Sequence, residues 1–347
     1  MERHQTLASF LADWAGEDAT NKAVVKTIEK LCGATVTIAD LISQGPLAGE
    51  MAAIVGDNAD GDAQKFLDVK SNELIFAALR DSPVAVMGSE EDDEAVPLNE
   101  GAPLAVAVDP LDGSSNIETN VSIGTIFSIF PTETAADKAP EKVFFQPGTN
   151  QLAAGFMVYG PQTTIVFTVG DGTHVATLDR KAGQFLITME NMKMISGKCE
   201  YAINASNYRQ WSPGIRAYID DCLAGTDGPR QQNYNMRWVA SLVAETYRIL
   251  IRGGVFLYPG DSRDGYECGR LRLVYEAFPV AMVIEQAGGV ATNTTDRILD
   301  LVPDDLHQRT PLVFGPADEV ERVKRYQASP VEKGASSPLF GHRGLFR

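Results

Sequence analysis

From Asn21 onward the apolar residues Val24, Val25, Ile28, Leu31, Cys32, Ile38 and Leu41 recur at helical spacing, with Thr20 or Asn21 placed to cap the helix they predict. A second helix is predicted over residues 64–80. The short apolar run 84–87 reads as a strand that delivers Ser89-Glu90-Glu91-Asp92-Asp93-Glu94, and the polar stretch to Gly101 reads as a loop. Residues 104–108, Leu-Ala-Val-Ala-Val, form an unbroken apolar run and predict a buried strand. Further strands are predicted over 125–130, 151–159, 163–169 and 173–178, the last two joined as a hairpin through Gly170-Asp171-Gly172. The first half thus reads as helices packed on a mostly antiparallel sheet. After about Ser196 the pattern changes to a strand at 201–203, a helix from Pro213 and a helix over 238–252 closed by Gly253-Gly254. A strand at 255–257, a helix from Leu271 and a strand at 312–314 follow. Strands alternating with helices predict a second, α/β unit, with the boundary at about 190–200. No internal repeat is visible, and residues after Ala328 read as a loosely structured tail.

At 347 residues the chain can bury a large core in one or two domains. Its 46 acidic against 30 basic side chains give a net charge of −16, which argues against nucleic acid or an anionic membrane as the main partner. A phosphorylated ligand would have to be met by locally placed cations. No apolar stretch approaches the roughly 18 residues of a membrane span, and Met1-Glu2-Arg3-His4-Gln5 is followed by no signal-peptide core, so a soluble cytoplasmic protein is expected. Cys32, Cys199, Cys222 and Cys268 are scattered without metal-finger spacing and are expected to be reduced thiols.

The candidate chemistry begins where the 104–108 run ends. Asp109-Pro110-Leu111-Asp112-Gly113-Ser114-Ser115-Asn116 puts a carboxylate at the end of a strand, where open α/β sheets place ligands, and a second carboxylate three residues later. Pro110 restricts where Asp109 can point. Mg²⁺ requires octahedral oxygen ligands and recruits carboxylates with substrate phosphate, and the Leu111 carbonyl between the two Asp residues is a natural additional ligand. Gly113, Ser114 and Ser115 can turn backbone N–H groups and hydroxyls toward an anion. An ordinary Asp/Pro/Gly/Ser turn would explain a lone D-x-x-D equally well; the full octet is far more specific. Glu90 and Glu91 follow a strand as Asp109 does, so the two loops can share one sheet edge, although a solvated acidic loop would look the same. Asp68 and Glu73, five positions apart, lie about 140° around the second helix and share no stripe. Asp57-Asn58-Ala59-Asp60-Gly61-Asp62 imitates a calcium loop but lacks its ligands and its glycine, and is rejected. Glu276 stands inside a strongly apolar stretch, 271–279, and a buried acid must be paired or metal-bound.

The octet resembles the metal-binding signature of class I fructose-1,6-bisphosphatases, within the lithium-sensitive sugar and inositol phosphatase superfamily. The resemblance recurs in order from about Val24 to about Gly315, through Leu67-Asp68-Val69, Ser89-Glu90-Glu91-Asp92, 122–127, 253–259, 271–276 and 286–289. It implies a five-layer α/β/α/β/α sandwich, with an N-terminal α+β domain over 1–195, an α/β sugar-phosphate-binding domain over 196–330 and a tail over 331–347. It implies Mg²⁺, two or more ions per subunit, held by Glu90, Asp109, Leu111, Asp112 and Glu276, with Glu91, Glu73 and Asp68 assisting the attacking water. Glu73 stands where the family has Asp. It implies substrate contacts from Asp112, Gly113, Ser114 and Ser115, and from Asn204, Tyr208, Arg237, Tyr258 and Arg270 at the sugar phosphate. Trp238 replaces a usual Tyr and Arg270 a usual Lys, so phosphate affinity should survive. Residues 204–208 lack the Glu-Gly the family carries after its Asn, and Ala277-Phe278 replace its usual Cys-Asn. Arg237 matches a residue that reaches into a neighbouring subunit, which implies a homo-oligomer, a tetramer by preference. The expected activity is hydrolysis of the 1-phosphate of fructose 1,6-bisphosphate. The rivals are the same chemistry on sedoheptulose 1,7-bisphosphate, or on both sugars, and a catalytically silent metal or metabolite sensor on the same fold. Inositol monophosphatase is disfavoured, because that branch carries Trp-Asp where this chain has Tyr275-Glu276. The Gly-Thr-Gly-Glu-Leu motif that binds AMP in relatives has no counterpart around residues 16–21, and the chloroplast-type cysteine insertion is missing, so inhibition by AMP or control by thioredoxin is not expected.

Overall fold

The computed structural model describes residues 4–57, 63–132 and 139–328; most of the rejected calcium loop and the C-terminal tail lie outside them. Eight strands form the larger sheet, in the order Gln184–Met192, Thr173–Asp179, Thr163–Thr168, Ala153–Tyr159, Ile123–Pro131, Leu104–Asp112, Val84–Ser89 and Val96–Pro97. Every pairing in it is antiparallel except that of Val84–Ser89 with Leu104–Asp112. A five-stranded sheet in the second half runs Asn235–Met236, Glu200–Ala202, Val255–Tyr258, Leu312–Gly315, Val290–Thr292.

Three apolar clusters bind these sheets into five layers. The helices Leu7–Ala15, Ala19–Gln44 and Phe66–Leu79 cover one face of the large sheet, with Leu11, Val24, Ile28 and Ile38 buried against Val106, Phe127 and Phe167. Its other face packs on the helices Leu242–Arg252 and Phe278–Gln286, which in turn pack on the smaller sheet through Phe256, Phe314 and Phe278. Ile215, Tyr218, Val320 and Val323, from Pro213–Leu223 and Ala317–Ala328, close the outer face of that sheet. Helices on both faces of the large sheet explain its near-continuous apolar runs: strands sandwiched on both faces have no solvent side to alternate toward. Burying one Phe or Leu in such a layer contributes roughly 1.5 to 3 kcal/mol, so the layering is hydrophobic in origin.

The long helix predicted from Asn21 starts at Ala19, where the Asp18 carboxylate caps by accepting from Asn21 N at 2.8 Å, two residues before the nearer predicted cap, Thr20. The second helix begins at Phe66, because Ala63–Lys65 pairs as a short strand with Ile54–Asp57. The helix predicted from 238 starts only at Leu242. Ala240 adopts a left-handed φ of 59°, and Ser241 caps the helix by accepting from Ala244 N. The largest departure is at Leu271, where a helix was predicted. Leu271–Arg272 is a strand paired with Arg309–Thr310, residues Leu273–Ala277 form one π-helical turn, and the α-helix begins at Phe278. Leu273 N is drawn to Gln308 O at 2.7 Å, and Pro279, lacking an N–H, is tolerated only in the first turn. Elements additional to the predicted set include the short helix Leu7–Ala15, the nine-residue edge strand Gln184–Met192, the strand Val290–Thr292 and the helix Ala317–Ala328. All four cysteines are free thiols, as expected.

Gly124 governs how closely the two halves approach. It pairs with Asp112 on one side and Val158 on the other, and a Cβ there would sit 2.1 Å from Met157 O and 2.5 Å from Val243 Cγ2. Gly124→Ala is therefore expected to destabilise by about 3 kcal/mol or more. Gly33→Ala, on an exposed helix position with open space around it, should instead stabilise by roughly 0.5 to 1 kcal/mol. Thermal and urea unfolding of the two variants checks the pair, and equal effects would contradict the packing.

Candidate active site

Parallel pairing of Val84–Ser89 with Leu104–Asp112 sets Ser89 opposite Val108, and Glu90 N donates to Val108 O at 3.0 Å. The two acidic loops therefore leave one sheet edge side by side, as the strand–acid pattern predicted. Between Asp109 and Asp112 the register with the neighbouring strand slips, a bulge formed around Pro110. The bulge is held from within: Asp109 Oδ1 accepts from Leu111 N at 2.9 Å, and Pro110 O accepts from Thr125 Oγ1 at 2.8 Å. Gly113 then takes a left-handed φ of 80°, a conformation that favours glycine, and leads into the 3₁₀ turn Ser114–Asn116.

The second half supplies the rest. Asp112 Oδ2 accepts from Ser241 Oγ at 3.0 Å and Val243 N at 2.9 Å, so this carboxylate sits at the N-terminus of the helix Leu242–Arg252. Glu276, in the π-turn, accepts from Arg272 N at 2.6 Å. Carboxylate oxygens of Asp109, Asp112 and Glu276 all lie within 4.8 Å of one another, and all three residues are buried. At an effective dielectric of about 20, each ionised pair at that separation repels by roughly 3 to 4 kcal/mol. Three such pairs rival the whole folding stability of a domain. Burial, then the charge of Glu90, Asp112 and other neighbours, accordingly holds the Asp109 carboxyl far above its ordinary range; burial and Glu90 do the same to Glu276, and burial raises Asp112. Three hard oxygen donors in a buried, mutually repelling group fit a divalent cation of the Mg²⁺ type, which would relieve the repulsion.

Around this group the structure places the remaining acids differently. Asp68 is buried in the first turn of the helix Phe66–Leu79, where Oδ2 accepts from Lys65 N at 2.7 Å while Oδ1 has no hydrogen-bond partner among the described residues. Burial is the main cause lifting its carboxyl to about 6. Glu91 accepts from Gln64 Nε2 at 2.7 Å and is pushed up to about 7, first by burial and then by the Asp68 charge. Glu73 is not brought in. Its side chain is 61% exposed and pairs with Lys70 at 2.9 Å, since a residue five positions after Asp68 faces a different side of the helix. Arg272, absent from the sequence-derived set, is a fully buried cation whose Nη2 lies 3.6 Å from Glu90 Oε1. The signal that marked Glu276, a charge inside an apolar run, marks Arg272 as well. Lys65 Nζ also reaches the turn, donating to Ser114 O at 3.0 Å.

A cleft in the second half is lined by Asn204, Tyr258 and Arg270. Trp238 stacks on Tyr258 with ring centroids 6.0 Å apart. Tyr208 does not line this cleft; its hydroxyl donates to Asp220 Oδ1 at 2.7 Å. Arg237 is exposed, its Nη1 donating to Met236 O. The cleft and the carboxylate group are joined covalently at short range, since Arg270 lies two residues before Arg272 and Trp238 three before Ser241.

Two family models match the chain, "Fructose-1-6-bisphosphatase, N-terminal domain" over residues 5–190 and "Fructose-1-6-bisphosphatase, C-terminal domain" over 194–328. A "Fructose-1,6-bisphosphatase class 1 1" of Nitrobacter hamburgensis is 54% identical, covering 100% of both chains, and a class 1 enzyme of Rhodopseudomonas palustris strain HaA2 is 51% identical over the same coverage. Among solved structures, Leishmania major fructose-1,6-bisphosphatase in holo form superposes with a TM-score of 0.88 at 34% identity, covering 94% of this chain and 99% of that one. Its apo form gives 0.83 at 31% identity, covering 94% and 100%.

The raised carboxyls set the direction of a pH effect. Asp68 at about 6 and Glu91 at about 7, against ordinary values of 3.8 and 4.5, bind protons in the folded state that the unfolded chain has released. Metal-free protein should therefore lose stability as pH rises from about 5 to about 8. Saturating Mg²⁺ should raise the melting temperature by several degrees more at pH 8 than at pH 5. Scanning calorimetry at the two pH values checks this, and a Mg²⁺ shift equal at both would refute it.

Proposed function

We propose, from the premise that this chain belongs to the class 1 fructose-1,6-bisphosphatase family, that it hydrolyses the 1-phosphate of fructose 1,6-bisphosphate to fructose 6-phosphate and phosphate. The observation that carries this reading is the buried Asp109, Asp112 and Glu276 group, assembled from both halves within 4.8 Å. Asp109, Asp112 and Glu276, with Glu90 and the Leu111 carbonyl, would hold Mg²⁺, two or more ions per subunit. Such ions supply Lewis-acid stabilisation of the phosphoryl oxygens and acidify water.

The chain's own residues do the rest. Glu91, with its carboxyl at about 7, exchanges a proton near neutral pH and is the base toward the attacking water, with Asp68 beside it. Glu73 retains an assisting role only through movement of its exposed side chain. Gly113, Ser114 and Ser115 present the turn to the 1-phosphate. Asn204, Tyr258 and Arg270 bind the far phosphate, Tyr208 joins them only by turning its hydroxyl from Asp220 toward the cleft, and Arg237 extends toward a neighbouring subunit of a homotetramer. Arg272 acts through Glu90 as a positioning cation. Two units, 1–195 with most of the metal ligands and 196–330 with Glu276 and the sugar-phosphate contacts, thereby complete one site, in an enzyme of the cytoplasm.

Phosphate release from fructose 1,6-bisphosphate, sedoheptulose 1,7-bisphosphate and inositol monophosphate, with and without Mg²⁺, tests the reading. Mg²⁺-dependent release from the fructose compound is expected, and release from none would favour the sensor. Asp112→Asn should cut turnover on the order of a thousandfold while the far-ultraviolet dichroism stays unchanged; wild-type turnover would contradict the site.

A further inference from the structure

We infer that Arg263 is a second guanidinium of the distal-phosphate cleft, held ready on a prebuilt loop to grip the phosphate farthest from the bond that breaks. The inference rests on the bisphosphate reading above. Arg263 lines the same cleft as Asn204, Tyr258 and Arg270. Its guanidinium carbon lies 4.1 Å from the centroid of the Tyr266 ring, and that of Arg270 lies 4.8 Å from the same centroid. Arg270 Nη1 also donates to the Tyr266 hydroxyl. One tyrosine thus carries two cations, an arrangement that cation–π attraction permits and that places two planar forks at one anion-binding locus.

The loop is built to fix this geometry. Asp261, whose side chain is buried, takes the Nε and Nη2 edge of Arg263, with Nε 2.9 Å from Oδ1, and also accepts from Arg263 N at 3.0 Å. Among the described residues the Nη1 group has no hydrogen-bond partner, and it remains for a ligand oxygen. Backbone bonds of 3.0 Å from Asp261 N to Tyr266 O, from Tyr266 N to Arg263 O and from Gly269 N to Tyr266 O close the loop on itself. Ser262 N to Gln210 O, at 3.0 Å, and a bridge between Trp211 and Asp261 tie it to the smaller sheet's flank. A Cβ at Gly260 would meet Glu267 O at 2.2 Å, so the turn has no slack. A plain surface ion pair needs none of this support. A side chain whose rotamer entropy is already spent binds phosphate without that cost.

The test is binding of fructose 6-phosphate, which carries the distal phosphate alone, by calorimetry on the full chain with Mg²⁺, beside steady-state hydrolysis of fructose 1,6-bisphosphate. Arg263→Gln should weaken fructose 6-phosphate by about 10- to 100-fold and raise KM comparably, with the loss falling on KM rather than kcat. Arg263→Lys, which keeps the charge and loses the fork, should recover only part of the affinity. Unchanged fructose 6-phosphate affinity in Arg263→Gln, full recovery by lysine, or a loss confined to kcat overturns the inference. A wild-type chain that releases no phosphate would refute the proposed activity, while the binding measurement would still judge Arg263.

Discussion

Mutual repulsion among buried carboxylates is the constraint around which this protein is organised. Asp109 and Asp112 come from the large sheet, Glu276 from the π-turn ahead of a helix in the second half, and Glu90 from the neighbouring strand end. No chain would gather these charges out of water for stability alone. Hydrogen bonds soften the cost: Leu111 N on Asp109, Ser241 Oγ and Val243 N on Asp112, and Arg272 N on Glu276. They do not remove it, as the raised carboxyls show. The remainder is a standing demand for positive charge, met in part by buried Arg272 and otherwise by protons or cations.

The layers serve that demand. Five tiers of apolar packing fix the positions of loops that would otherwise spring apart, and small residues at the joint let them meet. Gly124 admits Val243 to the sheet surface, and the left-handed Gly113 turns the chain toward the N-terminus of the helix Leu242–Arg252. The π-turn has a similar purpose. Residues Leu273–Ala277 fit an extra residue into the turn, which aims Glu276 back at Arg272 N where a regular helix starting at Leu271 would direct it elsewhere.

Much of this was legible in the letters because it is local. The run 104–108, its end at Asp109, the glycine after Asp112 and the charge of Glu276 amid apolar neighbours each follow from turn chemistry or burial cost. The shared sheet edge of Glu90 and Asp109 also followed from two strands each ending in acid. Long-range pairing was less visible. The break of the predicted helix at Leu271 depends on Gln308, thirty-odd residues away, and the Arg272–Glu90 contact depends on that break. Gln184–Met192 escaped notice because an edge strand with one buried face carries little apolar signal beyond Phe185 and Ile187. Glu73 shows the reverse case: helix geometry alone separated it from Asp68, and its side chain is exposed and paired with Lys70.

Asp112 carries one last implication. Its Oδ2 accepts from Ser241 and Val243, across the seam between the halves, and the same carboxylate belongs to the acidic group. One side chain therefore both joins the halves and completes the acidic group. A nascent chain whose second half has not yet docked lacks the Glu276 member of the acidic nest, so the nest is complete only in the finished architecture.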